Sequence, residues 1–121
     1  MNIKKNSTGN IVISPEVVEK IAKTATLDIA GVNDVVPRYQ NFKNVIKSRR
    51  VAKPVICTIK DGQYIIDVYL RINEGVKITE LATKVQKSIK EAVQNMTGTV
   101  VTKINVHICE VQFKTQEENK D

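Results

Sequence analysis

Apolar residues recur along this chain in two rhythms, and the rhythm changes at glycines and prolines. Val17, Val18, Ile21, Ala22, Ala25 and Ile29 fall three and four apart, the spacing of one helical face. Ser14-Pro15-Glu16 stands at the head of that run. A serine can cap the free N–H groups, a proline fits the first helical position, and a glutamate suits the positive end of the helix dipole. Gly31 is the expected stop. A second stripe is longer: Ile78, Leu81, Ala82, Val85, Ile89, Ala92, Val93 and Met96, with Lys84, Lys87, Lys90 and Glu91 outside it and Gly98 after it. Between the two helices the period drops to two. Tyr64, Ile66, Val68, Leu70 and Ile72 alternate with Ile65, Asp67, Tyr69 and Arg71, which predicts a strand with one apolar and one mixed face. Asp61-Gly62 joins it to a strand from Pro54 to Lys60 through a tight hairpin turn.

Shorter elements complete the pattern. A strand is expected over Asn10–Ile13 and another over Val32–Val36, ending at Pro37. The last strand runs from about Val100 to Phe113, with Ile104, Val106 and Ile108 on one face. Val111 and Phe113 sit in the opposite register, which predicts a bulge near Cys109–Glu110. The elements read β-α-β-β-β-α-β. The economical arrangement is an α+β fold, a small two-layer domain with two helices packed on one face of a mostly antiparallel sheet. Residues 1–8 are a polar tail expected to be disordered, 9–113 a single domain, and 114–121 a polar C-terminal tail. Residues 37–53 are long for a plain loop and are read as a basic connection with room for a short amphipathic helix.

Composition narrows the function classes. The 121 residues fit one core, and with 4% aromatic residues that core must be Ile, Val, Leu and Ala. Cys57 and Cys109 are far apart and each lies in an apolar run, so they read as reduced core or sheet residues. No stretch is long and apolar enough to span a membrane, and the basic start lacks an apolar segment behind it. A cytoplasmic location follows as the expectation. The net charge of +6 is uneven: from Val35 to Lys60 there are seven basic residues and no acid. An acidic protein, an anionic membrane surface or nucleic acid phosphate would meet the chain there.

Catalytic and metal chemistry find little to stand on. The single histidine, His107, shares a strand face with Lys103 and Asn105, and the sequence offers it neither partner nor pocket. Asp67 reads as a lone carboxylate. One histidine and two distant cysteines do not make a zinc site, and the glycines are scattered singly, so no cofactor is expected. The candidate partner-binding residues are Arg38, Lys43, Lys47, Arg49, Arg50 and Lys53 of the basic connection, with Tyr69 on the mixed face. Ile65, Tyr69 and Ile56 on the uncovered sheet face suggest self-association. A small basic nucleic-acid module is the alternative, weakened by the shortage of aromatic residues for base stacking.

Three stretches, in order, resemble the alkaline shock, or envelope stress response, protein family of Gram-positive-type bacteria. They are Gly9-Asn-Ile-Val-Ile-Ser-Pro-Glu-Val-Val-Glu-Lys-Ile-Ala leading to Gly31-Val32; Asp67-Val-Tyr-Leu-Arg-Ile with Gly75-Val-Lys-Ile and Val85-Gln86; and Asn95-Met-Thr-Gly with Ile104-Asn-Val-His and Val111-Gln-Phe. The resemblance spans roughly residues 9–113. It implies a non-enzymatic cytoplasmic scaffold linked to envelope homeostasis, with no small-molecule substrate. It also implies self-association into a homo-oligomer and a protein partner that includes a small integral-membrane anchor, placing the chain at the inner face of the cell membrane. The connection from Pro37 to Pro54 is more basic and less glycine-rich than the family pattern.

Overall fold

The computed structural model describes residues 11–39 and 52–114. Helix α1 spans Pro15–Leu27, and Ser14 caps it, its hydroxyl accepting from the Val17 N–H. The helix ends at Leu27 with Asp28 as its C-cap, four residues before the expected stop at Gly31. Ile29 N–H closes a turn onto the Thr26 carbonyl, and the chain uses this turn to reach the sheet. Gly31 does adopt positive φ, at +101°.

Strand β1 (Val32–Val35) leads to β2 (Arg38–Tyr39), and β3 (Ala52–Lys53) to β4 (Val55–Lys60) and β5 (Gln63–Asn73). Helix α2 (Ile78–Thr97) and β6 (Val101–Gln112) complete the fold. The expected strand at Asn10–Ile13 is corrected: residues 11–13 are not in a strand, and Asn10 lies outside the described residues. Ile11 and Val12 are exposed, while the Ile13 carbonyl accepts from the Tyr64 hydroxyl, so the segment is held by a side chain rather than by a ladder. The structure adds the short β2–β3 ladder, Arg38 opposite Lys53 and Tyr39 opposite Ala52, at the base of the basic connection. Residues 40–51, where the short helix is expected, lie outside the described residues.

Strand β5 organises the sheet. Along one edge it pairs antiparallel with β4 through residues 63–68 and with β1 through residues 70–72. Along the other it pairs with β6 in parallel over its whole length, from Tyr64 opposite Val101 to Asn73 opposite Gln112. A parallel neighbour needs a crossover, and α2 supplies it. The register shifts twice, between Tyr64 and Ile65 and between Leu70 and Arg71, leaving Thr102 and Cys109 without a partner. The second shift is the bulge expected near Cys109–Glu110.

Both helices cover one face. Ile66, Val68, Leu70 and Ile72 of β5 are fully or almost fully buried under Val18 and Ala22 of α1 and Leu81, Val85, Ile89 and Val93 of α2. Each large side chain buried there contributes roughly 1.5–3 kcal/mol. Ala22 and Ala25 keep α1 slim where it meets α2, and the Ser88 hydroxyl reaches across to the Ala25 carbonyl. Thr26 is buried too, but its hydroxyl donates to the Ala22 carbonyl at 2.8 Å, so no polar group is stranded. The alternate residues Ile65, Asp67, Tyr69 and Arg71 point to the face the helices leave uncovered, and all four are half-buried.

Candidate functional site: the uncovered face of the sheet

The parallel register places Asp67 opposite Asn105 and Tyr69 opposite His107. Side chains on one face of neighbouring strands meet in this way. Here they form an ordered row. His107 Nε2 lies 2.9 Å from Asp67 Oδ1, and Asn105 Nδ2 donates to the same oxygen at 3.0 Å. The imidazole stacks on the Tyr69 ring with centroids 4.4 Å apart and planes 12° from parallel. The Arg38 guanidinium stands over the Tyr69 ring, 5.8 Å from its centroid, within range of a cation–π attraction. Burial and the neighbouring Asp67 carboxylate push the Tyr69 phenol above its ordinary value, with Arg38 pulling the other way. The phenol therefore stays neutral and keeps a hydrogen to donate.

A second cluster closes the far end of the face. Arg71 Nε donates to Asn33 Oδ1 at 2.8 Å, and its Nη1 lies 3.1 Å from Glu110 Oε1. Asp34 stands 3.7 Å from Nη2. One guanidinium thus ties β1, β5 and β6 together. These pairs are partly exposed and each contributes little to stability, but they fix where the side chains stand.

The candidate residues divide. Arg38 and Tyr69, thirty-one positions apart by their numbers, are brought together on this face. Lys53 turns elsewhere: its Nζ lies 3.1 Å from Glu19 Oε1 on α1. Lys43, Lys47, Arg49 and Arg50 lie outside the described residues. The sequence reading leaves Asp67 alone and His107 without a partner; the structure gives each the other. Neither Asp67, Tyr69 nor His107 lines the groove between α1 and α2 or the one between α2 and β6. The histidine side chain is 41% exposed. A base held by a carboxylate is half of a nucleophilic machine, and the ring of His107 has Asp67 and Tyr69 as its recorded neighbours, with no serine, threonine or cysteine side chain bonded to it among the described residues. Among the described residues no group of three histidine, cysteine or acidic side chains could hold a metal ion. No helix among them is long and apolar enough to cross a membrane.

Two helices on one side of a sheet and a polar-aromatic row on the other define a two-layer α+β domain with one face the helices leave uncovered. The chain belongs to the alkaline shock protein 23 family, of cell envelope-related function, which it matches over residues 3–113. It is similar to the uncharacterized protein YqhY of Bacillus subtilis, 32% identical over 120 residues, covering 96% of this chain and 87% of YqhY. Spy1535 of Streptococcus pyogenes serotype M6 is 31% identical over 101 residues, covering 83% of this chain and 77% of its own. Among solved structures, the nickel form of a MamM CTD variant covers 83% of this chain and 99% of its own at 11% identity. The TM-score between the two is 0.44.

Proposed function

We propose that this chain is a non-enzymatic interaction protein of the cell envelope, acting from the cytoplasmic side through a membrane-associated protein partner and through copies of itself. The observation that carries the reading is the row Arg38–Tyr69–His107–Asp67 on the uncovered face. Arginine and tyrosine are the side chains that dominate protein interfaces, because they combine apolar area with directed polar ends. Holding them in place before contact reduces the entropy lost on binding. Half-buried Ile56 and Ile65 add apolar area beside them. The basic connection between Arg38 and Lys53 adds positive charge that steers an acidic partner towards the chain.

The test is recovery of partners by the tagged protein from a solubilised membrane fraction of its host, with and without nuclease. A membrane protein that survives nuclease should be recovered by the wild type. Its recovery should fall about tenfold in Tyr69→Ala, as for a central interface residue. Replacing Lys43, Lys47, Arg49 and Arg50 by glutamine should weaken it by slowing association. Loss of every hit on nuclease treatment would turn the reading towards nucleic acid. In light scattering, assembly that grows with concentration is expected, and a strict monomer at all concentrations would remove self-association from it.

A further inference from the structure

A second surface lies at the opposite edge of the sheet. Between α2 and the first half of β6 runs an open groove of about 490 Å³, lined by Thr83, Gln86, Lys87, Lys90 and residues 101–104 of β6. Lys87 and Lys90 come from one face of α2, one turn apart, and Lys103 from the strand. No carboxylate lines it. All three lysines are exposed, and none of them is in an ion pair among the described residues.

The floor of this groove is a strand edge. β6 pairs with β5 on one side, and among the described residues no strand pairs with its other side. Ile104, Val106 and Ile108 of β6 face the core but stay only half-buried, whereas their neighbours Ile66, Val68 and Leu70 in β5 are fully buried. The carbonyl of Ile104 accepts a hydrogen bond at 3.1 Å from Gln86 Nε2, a donor outside the strand ladder. An amide N–H of an incoming backbone would offer that carbonyl the same kind of bond. An edge that no described strand covers is a template for a further strand.

We propose that this edge and its lysines form a docking site for an extended acidic polypeptide segment. Its backbone adds beside residues 101–104 of β6, and its carboxylates meet Lys103 on one face of the sheet and Lys87 and Lys90 on the other. Side chains of a strand alternate between faces, so successive acidic residues suit a groove with cations on both. Nucleic acid fits less well, because no aromatic side chain lines the groove to stack a base. A lipid headgroup would use the charges but not the strand edge. Tyr69 does not line this groove, although Lys103, opposite Ile65, stands on the same face of the sheet as Tyr69.

The experiment uses the full chain and a fluorescein-labelled oligoglutamate peptide, read by anisotropy at low salt. The wild type should bind it, and Lys103→Glu and Lys87→Glu should each weaken binding roughly tenfold. Lys23→Glu, on α1, and Tyr69→Ala should leave it within about twofold. Melting curves establish that the variants are folded. A peptide of the same charge with alternate backbone nitrogens methylated should lose binding, because a methylated edge cannot donate to the strand. Equal binding of the methylated peptide would reduce the effect to loose charge attraction and overturn strand addition. No binding by the wild type, or binding indifferent to Lys103 and Lys87, would overturn the site. So would tighter binding of single-stranded RNA or phosphatidylglycerol vesicles through the same lysines. Failure here with intact partner recovery at Tyr69 would leave the envelope reading standing.

Discussion

Glu19 sits on α1 but bonds to β4. Its Oε2 accepts from the Cys57 N–H at 2.9 Å, and its Oε1 takes Lys53 Nζ at 3.1 Å, so one carboxylate joins helix, strand and the end of the basic connection. The same geometry acts on the Cys57 thiol. Burial first, then the charges of Glu19 and Glu16, raise it from 9.0 to about 11, with Lys53 opposing. Well below pH 9 the thiol is protonated in both folded and unfolded chains and contributes no pH dependence. As pH rises through 9.0 the unfolded thiol ionises while the folded one keeps its proton until about 11, so unfolding becomes easier across that window. The loss should reach about 2 kcal/mol at about pH 10.5. Cys57→Ala should flatten that part of the slope in urea titrations at about pH 8 and about pH 10.5. Parallel slopes for wild type and variant would show that the thiol is not held protonated. Nothing in the spacing of Glu19 and Cys57 signals this contact, because it depends on how α1 lies across β4.

What was legible at the level of elements was local chemistry. Ser14-Pro15 set the start of α1, Asp61-Gly62 the β4–β5 turn with φ of 52° and 77°, and the apolar stripe of α2 its full length. The misses had non-local causes. The sequence pattern puts the end of α1 at Gly31, but the turn after Leu27 brings β1 to β5, and Gly31 serves another purpose. A Cβ there would meet Val76 Cγ2 at 3.2 Å and Leu81 Cδ1 at 3.3 Å, at a backbone φ of +101°. Gly98 shares the positive φ, at +77°, but faces open space. Both positions should resist alanine, and unequally. Gly98→Ala should cost about 1 kcal/mol of backbone strain, and Gly31→Ala roughly 2–3 kcal/mol because two core side chains must also move. Equal losses in denaturant titrations would contradict the close packing at Gly31. The pairing of Asp67 with His107 was hidden for a related reason. Forty residues separate Asp67 from His107, and alternation alone fixes which face a residue takes but not which residue it meets.

At the scale of the molecule, the helices bury one face of the sheet and leave the other uncovered, and the β2–β3 ladder stands at the base of the basic connection. β2 and β3 bring its two ends side by side, Tyr39 opposite Ala52, next to the strand that carries Tyr69. The two ends of the connection therefore stand close enough for a short turn to join them. Replacing residues 40–51 by a short Asn-Gly turn should join β2 to β3 directly, since a two-residue turn of that kind suits an antiparallel pair, and about 1 kcal/mol or less of stability should change. The excision touches none of the core residues among those described, from Val18 to Val101. The excision then separates two contributions that substitutions of single residues blur. The Arg38–Tyr69–His107–Asp67 row remains, while Lys43, Lys47, Arg49 and Arg50 are gone. On the proposed function, the shortened chain should still recover the membrane partner, more slowly and with weaker dependence on salt, because steering is lost while the contact row is kept. Complete loss of recovery from a chain with an unchanged melting temperature would move the binding surface from the sheet face into the connection itself. A collapse of the melting temperature would show instead that residues 40–51 belong to the core, and that the β2–β3 ladder is held from above rather than from the sheet.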